Sequence, residues 1–554
     1  MRTLLALVLA LLAVLKGATS LQAEEPQLVV VISIDQFRGD YLQRFYEYFG
    51  KDGFNRLLKG GANFVDCHHA HSHTKTGPGH AVMLTGVHAN VNGIIGNDWL
   101  DRSTLERVSC VGDTSVQIIG LPAPTTPPTN NYQDLYLGRS PRNLLAGTVG
   151  DELKMAQAGR PKVIGISNKD RAAILMSGRM ADAAYFMEEG RMVSSTYYMK
   201  ALPPWVTAWN AAGKADAFFG KVWDRVLPIE AYAGMDPDDM PGEDATASGL
   251  GNTFPKKVTG GDDKPGARFY DAFENTPFSN EVLEDFAETA ILSEKLGGRT
   301  AITDLLCLSF SANDHIGHLY GPDSQEIMDN VVRMDRTLAR FFDFLDRTVG
   351  LKRCTIVLTA DHGAAPTPEH VHARHPEIPA GRIDGKRLVQ ACEEALSRAF
   401  GPLEKGRSWL LRDDGSFLFR PEVLAAKKVT SAAAQDVVRK ALLSLDFVQA
   451  AYTRTQLESG AVVDELGRQA VLSFNRERSG DVYFQAKPWY FSREFGSNHG
   501  TPYNYDTHVP LVWFGVGVKP GVYTQRVNVA DLAPTLAHLL GLNAPPQAEG
   551  RVLF

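Results

Sequence analysis

Five short runs in this chain are almost continuously apolar and β-branched: LVVVISI (Leu28 to Ile34), KVIGIS (Lys162 to Ser167), DLLCLSFSA (Asp304 to Ala312), CTIVLTA (Cys354 to Ala360) and VPLVWFGVG (Val509 to Gly517). A strand without polar alternation is buried on both faces, which happens mainly in sheets covered by helices. Helical periodicity fills the intervals, at Glu281 to Leu296, Gln325 to Val349 and Asn528 to Leu540. Strands alternating with helices predict an α/β fold with a mostly parallel central sheet and helices on both faces.

Two stretches break this rhythm. Ala181 to Thr276 is rich in aromatics, Gly, Pro and Asp, and is expected to form an irregular cap insertion over part of the site. Gly385 to Pro488 reads as a smaller α+β insertion. The expected order is a signal peptide (1–23), core (24–180), cap (181–280), core (281–384), α+β insertion (385–490) and core (491–554). Pro122 to Asn131 (PAPTTPPTNN) is expected to be a loop.

The N-terminus carries Arg2, an apolar run from Leu4 to Leu15 and then small residues, the pattern of a secretory signal peptide cleaved near Ala23. The run is shorter than the ~20 residues that span a bilayer. No cysteine directly follows it, and no later stretch reads as a stop-transfer helix. The expected address is periplasmic or secreted, with no membrane anchor in the mature chain. Lys and Arg total 57 against 64 Asp and Glu, so stable nucleic-acid binding is not expected. The oligomeric state is open, with a monomer as the default. Five cysteines, Cys67, Cys110, Cys307, Cys354 and Cys392, form no CxxC pair, which argues against a thiolate zinc site. An oxidising compartment permits a disulfide, and Cys67–Cys110 is the first pair to test. Cys307 and Cys354, inside strand-like runs, read as buried core thiols.

Chemistry gathers where strands end. LVVVISI leads into Asp35, DLLCLSFSA into Asn313, Asp314 and His318, and CTIVLTA into Asp361 and His362, while His499 precedes VPLVWFGVG. Ligand sites in open α/β sheets form at the carboxyl ends of strands. Each residue alone has an ordinary reading as a cap, a turn or a surface group. Together, three Asp and three His supply metal ligands for two ions, with positions left open for substrate. Asp314 and His318 are four apart, so one helical turn puts them on one face. Paired ions ~3.5–4 Å apart suit phosphoryl transfer. His68, His69, His71, His73 and His80 share one segment and are not expected to be primary ligands, though His73 or His80 can pack near the site.

Thr74 to Gly86 (TKTGPGHAVMLTG) reads as a loop running into a helix, with Pro78 in the first turn. Helix N-termini favour anions, and a Thr76 hydroxyl beside a metal can become a nucleophile; the ordinary reading is an N-cap. After KVIGIS come Lys169, Asp170 and Arg171; in an extended segment the two cations face the same way and suit a substrate of high negative charge. Asn97 can add an amide donor.

These residues resemble the alkaline phosphatase superfamily, and more narrowly its threonine-nucleophile, PafA-type alkaline phosphatases, over nearly the whole mature chain. The resemblance implies two Zn2+ per chain, one held by Asp35, Thr76, Asp361 and His362, the other by Asp314, His318 and His499. It further implies that Thr76 is phosphorylated during turnover, that Asn97, Lys169 and Arg171 bind the phosphoryl oxygens, and that the substrates are small phosphate monoesters. The alternative within the superfamily is a phosphodiesterase or nucleotide pyrophosphatase. A sulfatase is disfavoured because Thr76 leads into Gly-Pro-Gly-His rather than a C/S-x-P-x-R pattern, and a glycolytic mutase is disfavoured by the secretion signal. A secreted zinc-binding or adhesion protein is the non-enzymatic alternative, and Thr76 is the discriminator. Metal identity, pH optimum, physiological substrate and any calcium site in the acidic insertion stay open.

Overall fold

The computed structural model describes residues 25–121, 138–244 and 247–554. The expected signal peptide and the loop Pro122 to Asn131 lie outside the described residues.

The apolar runs form strands of one 11-stranded sheet. Its main members are β1 (Leu28–Ile34), β2 (Ala62–His68), β3 (Val163–Ser167), β4 (Ala183–Glu188), β5 (Arg191–Ser195), β6 (Asp304–Phe310), β7 (Cys354–Thr359) and β8 (His508–Gly515). Their spatial order is β2-β8-β7-β1-β6-β3-β4-β5, with short strands at the edges. From β7 to β4 all neighbours are parallel. Every residue of β1, β6 and β7 is buried, as strands covered on both faces require. β8 runs antiparallel to β7 and β2. Its N-terminal end therefore lies at the same rim as the carboxyl ends of the parallel strands.

The helices that frame the site are α1 (Thr76–Thr85), α2 (Asp170–Ser177), α3 (Phe278–Glu294), α4 (Ala312–Tyr320), α5 (Gln325–Thr348) and α6 (Leu532–Leu539). α1 is buried along its whole length and packs against α2 and α6. A helix buried all round can approach its neighbours only through small residues, which Gly77, Gly79 and Ala81 supply.

The stretch expected as an irregular cap begins with regular structure. β4 and β5 extend the main sheet, and β3–α2–β4 is a parallel crossover unit. Aromatic residues further on, including Trp223, Phe254, Phe269 and Phe273, belong to the same apolar cluster as the sheet. Residues Leu410–Asp413, Ser416–Phe419, Val448–Thr453 and Val482–Ala486 form a separate four-stranded sheet. Helices Gly385–Phe400 and Ser431–Leu443 accompany it around its own core, built on Leu388, Trp409, Phe417 and Val438.

All five cysteines are buried and free. The expected Cys67–Cys110 bridge is not formed, because the two thiols sit in different apolar clusters. No helix among the described residues is long and apolar enough to cross a membrane.

Candidate active site

At the rim, β1 ends in Asp35, and Gln36 turns the chain with φ of +61°. Asn313 fixes this turn by donating to the carbonyls of Asp35 (3.1 Å) and Gln36 (2.9 Å). β6 runs into α4, which carries Asp314 and His318 on one face, with Nε2 of His318 3.3 Å from Oδ1 of Asp314. After β7 come Asp361 and His362. Gly363 is required for close approach rather than for flexibility, since a Cβ there would stand 2.1 Å from the Tyr505 carbonyl oxygen. The segment before β8 brings in His499, whose ring stacks on His362 with centroids 3.6 Å apart.

The three histidines share one device. Nδ1 of His318 bonds the carbonyl of Ser497 (2.9 Å), that of His362 the carbonyl of Gly363 (2.9 Å), and that of His499 the carbonyl of Thr74 (2.7 Å). A carbonyl only accepts, so each Nδ1 carries the proton and each Nε2 presents a lone pair. Burial holds the His318 imidazole down to about 4 and lowers His362 and His499 as well, which keeps all three neutral.

These lone pairs face carboxylate oxygens. Nε2 of His362 lies 3.4 Å from Oδ1 of Asp35 and 3.4 Å from Oδ2 of Asp361, and Nε2 of His499 lies 3.6 Å from Oδ1 of Asp314. Acceptor facing acceptor is unfavourable without a cation between them. Ligands ~2.0–2.1 Å from a tetrahedral ion stand ~3.3–3.4 Å from each other, so these spacings match the edges of a coordination shell. Asp35 Oδ1, Asp361 Oδ2 and His362 Nε2 are buried with no hydrogen-bond partner among the described residues. Among the described residues, two groups have the ligand atoms of all members within 4.8 Å of one another: Asp314, His318 and His499, and Asp35, Asp314 and His362. Asp314 belongs to both and stands at their junction. The donor set is that of a metal centre.

Electrostatics divide the carboxylates. Burial, then the carboxylates of Asp314 and Asp361, push Asp35 well above the ordinary range. Burial opposes ionisation of Asp314 too, but His318, Lys169 and His499 more than offset it and hold it well below. Lys169 donates to Oδ2 of Asp35 (2.7 Å) and to Oδ2 of Asp314.

Lys169 and Arg171 do not lie in an extended segment. Lys169 is the N-cap of α2, and Asp170 and Arg171 are its first two residues. Lys169 pairs with the carboxylates of Asp35 and Asp314, while Arg171 stays a quarter exposed with Nη1 3.7 Å from Oδ1 of Asp170 and still feels the field of the same two carboxylates. Nε of Arg171 is buried without a partner among the described residues.

Thr76 is the first residue of α1 and is buried, and its hydroxyl has no hydrogen-bond partner among the described residues. Its carbonyl accepts from Nδ1 of His80 (2.9 Å), a nitrogen that also lies 3.3 Å from Oδ2 of Asp361. Oδ1 of Asn97 accepts the N–H of Gly77 (2.7 Å), which leaves the Asn97 amide nitrogen as a donor beside the helix start. His80, from the distracting histidine segment, thus ties the helix to the metal-ligand candidates.

Sequence reasoning missed Gln36. Its N–H donates to Oδ1 of Asp361 (3.1 Å) and its side-chain amide to Oδ1 of Asp314 (2.6 Å), bridging the two groups. The only local signal was a polar residue directly after a strand-end Asp.

Against known proteins, the type I phosphodiesterase / nucleotide pyrophosphatase family matches residues 29–501. Alkaline phosphatase PhoV of Synechococcus elongatus is 34% identical over 531 residues, covering 95% of this chain and 92% of that protein. Alkaline phosphatase PafA of Elizabethkingia meningoseptica is 32% identical over 536 residues, covering 95% and 93%. The crystal structure of wild-type PafA has a TM-score of 0.86 at 31% identity, covering 96% of this chain and 98% of that one.

Proposed function

This chain belongs to the type I phosphodiesterase / nucleotide pyrophosphatase family and is a PafA-type alkaline phosphatase, a phosphomonoester hydrolase; on that premise we propose that it works with two Zn2+ ions and a phosphothreonine formed on Thr76. The observation that carries the reading is the set of inward Nε2 lone pairs facing carboxylate oxygens, of which Asp35 Oδ1 and Asp361 Oδ2 have no hydrogen-bond partner among the described residues, beside the Thr76 hydroxyl at a helix start.

Asp35, Asp361 and His362, with Thr76, would hold one ion; Asp314, His318 and His499 would hold the other. Bound there, the ions supply an acidified Thr76 hydroxyl and charge for the leaving oxygen. The chain does the rest. α1 fixes Thr76 at a helix N-terminus, where a phosphoryl anion is favoured. The free amide nitrogen of Asn97 donates to a phosphoryl oxygen. Arg171 binds equatorial oxygens, and Lys169, at the junction of the two groups, adds a point charge. Thr76 takes the phosphoryl group, the alcohol departs, and water then cleaves the phosphothreonine. The transition state is loose, so positioning and charge dominate.

Two cations suit a monoester dianion better than a diester monoanion, so small phosphate monoesters are the proposed substrates. The family's diesterase branch is the second reading. The signal-peptide pattern in residues 1–23 supports a periplasmic or secreted enzyme.

Thr76→Ala tests this. It is expected to keep two zinc equivalents while turnover of phenyl phosphate drops by at least ~10³-fold. Full retained activity would exclude Thr76 as nucleophile, and a wild-type preference for diphenyl phosphate would overturn the monoester assignment.

A further inference from the structure

The α+β unit meets the active-site rim along a cleft of about 70 Å³ whose lining includes His73, Lys75, Arg412, Asp414, Tyr483 and His499. Since a water needs at least roughly 10–15 Å³ of such space, this cleft accommodates a few waters or one small oxyanion. The cleft therefore adjoins a metal-ligand candidate, His499, and contains the residue that precedes Thr76.

Its charge is unbalanced. Lys75 and Arg412 are the cations among the lining residues, and Asp414 is the one carboxylate. Lys75 lies against the backbone just after His499: Gly500 has φ of +107°, and a Cβ there would stand 2.7 Å from Lys75 Cε. Its Nζ is 3.3 Å from Oδ2 of Asp414, and Nε2 of His73 is 3.2 Å from the same oxygen. Asp414 sits at the tip of the hairpin between Leu410–Asp413 and Ser416–Phe419, with φ of +44° and 53% of its side chain exposed. Arg412 comes from the same hairpin. Its Nη2 donates to Oγ of Ser492 (2.7 Å), while its Nε is buried and unpartnered among the described residues.

We propose that this cleft is a subsite for a second oxyanion, a carboxylate or a phosphate, carried by the leaving group of the substrate, with Lys75 and Arg412 as its ligands. The inference rests on the phosphomonoesterase reading and adds a substrate preference to it. An ammonium and a guanidinium recognise an oxyanion through charge-assisted hydrogen bonds. Asp414 is the internal competitor: half exposed at a hairpin tip, it neutralises Lys75 and gives way to a bound anion.

The test compares kcat/KM within matched substrate pairs. The long pair is 4-carboxyphenyl phosphate and its methyl ester; the short pair is 2-phosphoglycolate and 2-hydroxyethyl phosphate. Ethylene glycol bisphosphate, set against 2-phosphoglycolate, separates a phosphate from a carboxylate preference. The wild-type enzyme is expected to favour the charged member of at least one comparison by roughly 10-fold. Arg412→Met should bring that ratio close to one and leave the neutral substrate within twofold. Lys75→Met should also lower the ratio, and Asp414→Asn should raise it, a change that a merely structural contact would not produce. Wild-type ratios of one or below in every comparison would overturn the proposal, as would variants that slow both members of a pair equally. Turnover of none of these substrates would instead mark failure of the phosphomonoesterase reading.

Discussion

Gly79 offers a sharp test of whether the approach of α1 to the end of β7 sets the geometry of the site. A Cβ at this position would stand 2.2 Å from the Asp361 carbonyl oxygen, where contacts under 3.0 Å are not tolerated. Gly79→Ala must therefore part helix and strand by about 0.8 Å. Overpacking of this kind costs about 1–3 kcal/mol. Alanine recovers about 1 kcal/mol of helix propensity, so the net loss of stability is modest, about 0–2 kcal/mol. Catalysis has no such offset. α1 carries Thr76 and, through Nδ1 of His80 at 3.3 Å, abuts Asp361. A misplacement near 1 Å can cost on the order of 10²-fold in rate. Urea unfolding and kcat/KM for phenyl phosphate measure the two effects on one preparation. Gly234→Ala is the control, because its backbone is unstrained and a Cβ there meets nothing within 4 Å. A folded Gly79→Ala enzyme with activity within threefold of wild type would refute the claim that this approach positions nucleophile and ligand.

Lys169→Ala or Arg171→Ala is expected to lower monoester kcat/KM by on the order of 10²–10³-fold and diester kcat/KM by less; equal losses on phenyl phosphate and diphenyl phosphate would remove the charge-clamp argument. Burial, then the Glu326 carboxylate, push Glu243 from its ordinary 4.5 up to about 9. The folded chain thus holds a proton that the unfolded chain releases, and stability falls as pH climbs through that window; Glu243→Gln should melt higher than wild type at the alkaline end and converge with it at the acid end. Chelation should abolish turnover and lower the melting temperature, with both restored by zinc, because ions that bind only the folded state stabilise it by mass action.

The sequence exposed what burial writes into composition. β1, β6 and β7 are apolar at nearly every position because both faces are covered, and Asp314 and His318 advertise a shared helix face by spacing alone. β4 and β5 were hidden because AAYFME and RMVSS sit at the head of an aromatic-rich stretch, and only the pairing of β4 with β3 and of β5 with β4 shows them to be sheet. The direction of β8 was equally unreadable: a run of residues has the same pattern either way, yet only antiparallel pairing brings His499, which precedes its strand, to the rim where Asp35, Asp314 and Asp361 follow theirs. Lys169 and Arg171 stand out by residue type, but the extended conformation expected for them is not what the chain adopts: the strand ends at Ser167 and a helix starts at Asp170, so Arg171 lies in a helical first turn. Gln36 and His80 gain their roles from partners 278 and 281 positions away, Asp314 and Asp361, and no local pattern encodes such contacts.

The same long-range convergence explains why this rim calls for cations. Three buried carboxylates, Asp35, Asp314 and Asp361, meet there, and the ammonium of Lys169 pairs with two of them. The histidines supply no compensating charge, since burial keeps them neutral and their Nδ1 protons are committed to backbone carbonyls. Buried charge without a partner is costly, so the protein has two ways to balance the excess: protonate Asp35, whose affinity for a proton burial has already raised, or bind metal. A proton relieves one carboxylate and still leaves lone pairs of His362 and His499 facing oxygen acceptors. Divalent ions satisfy carboxylates and imidazoles together, which makes metal binding the arrangement that these carboxylates and histidines favour.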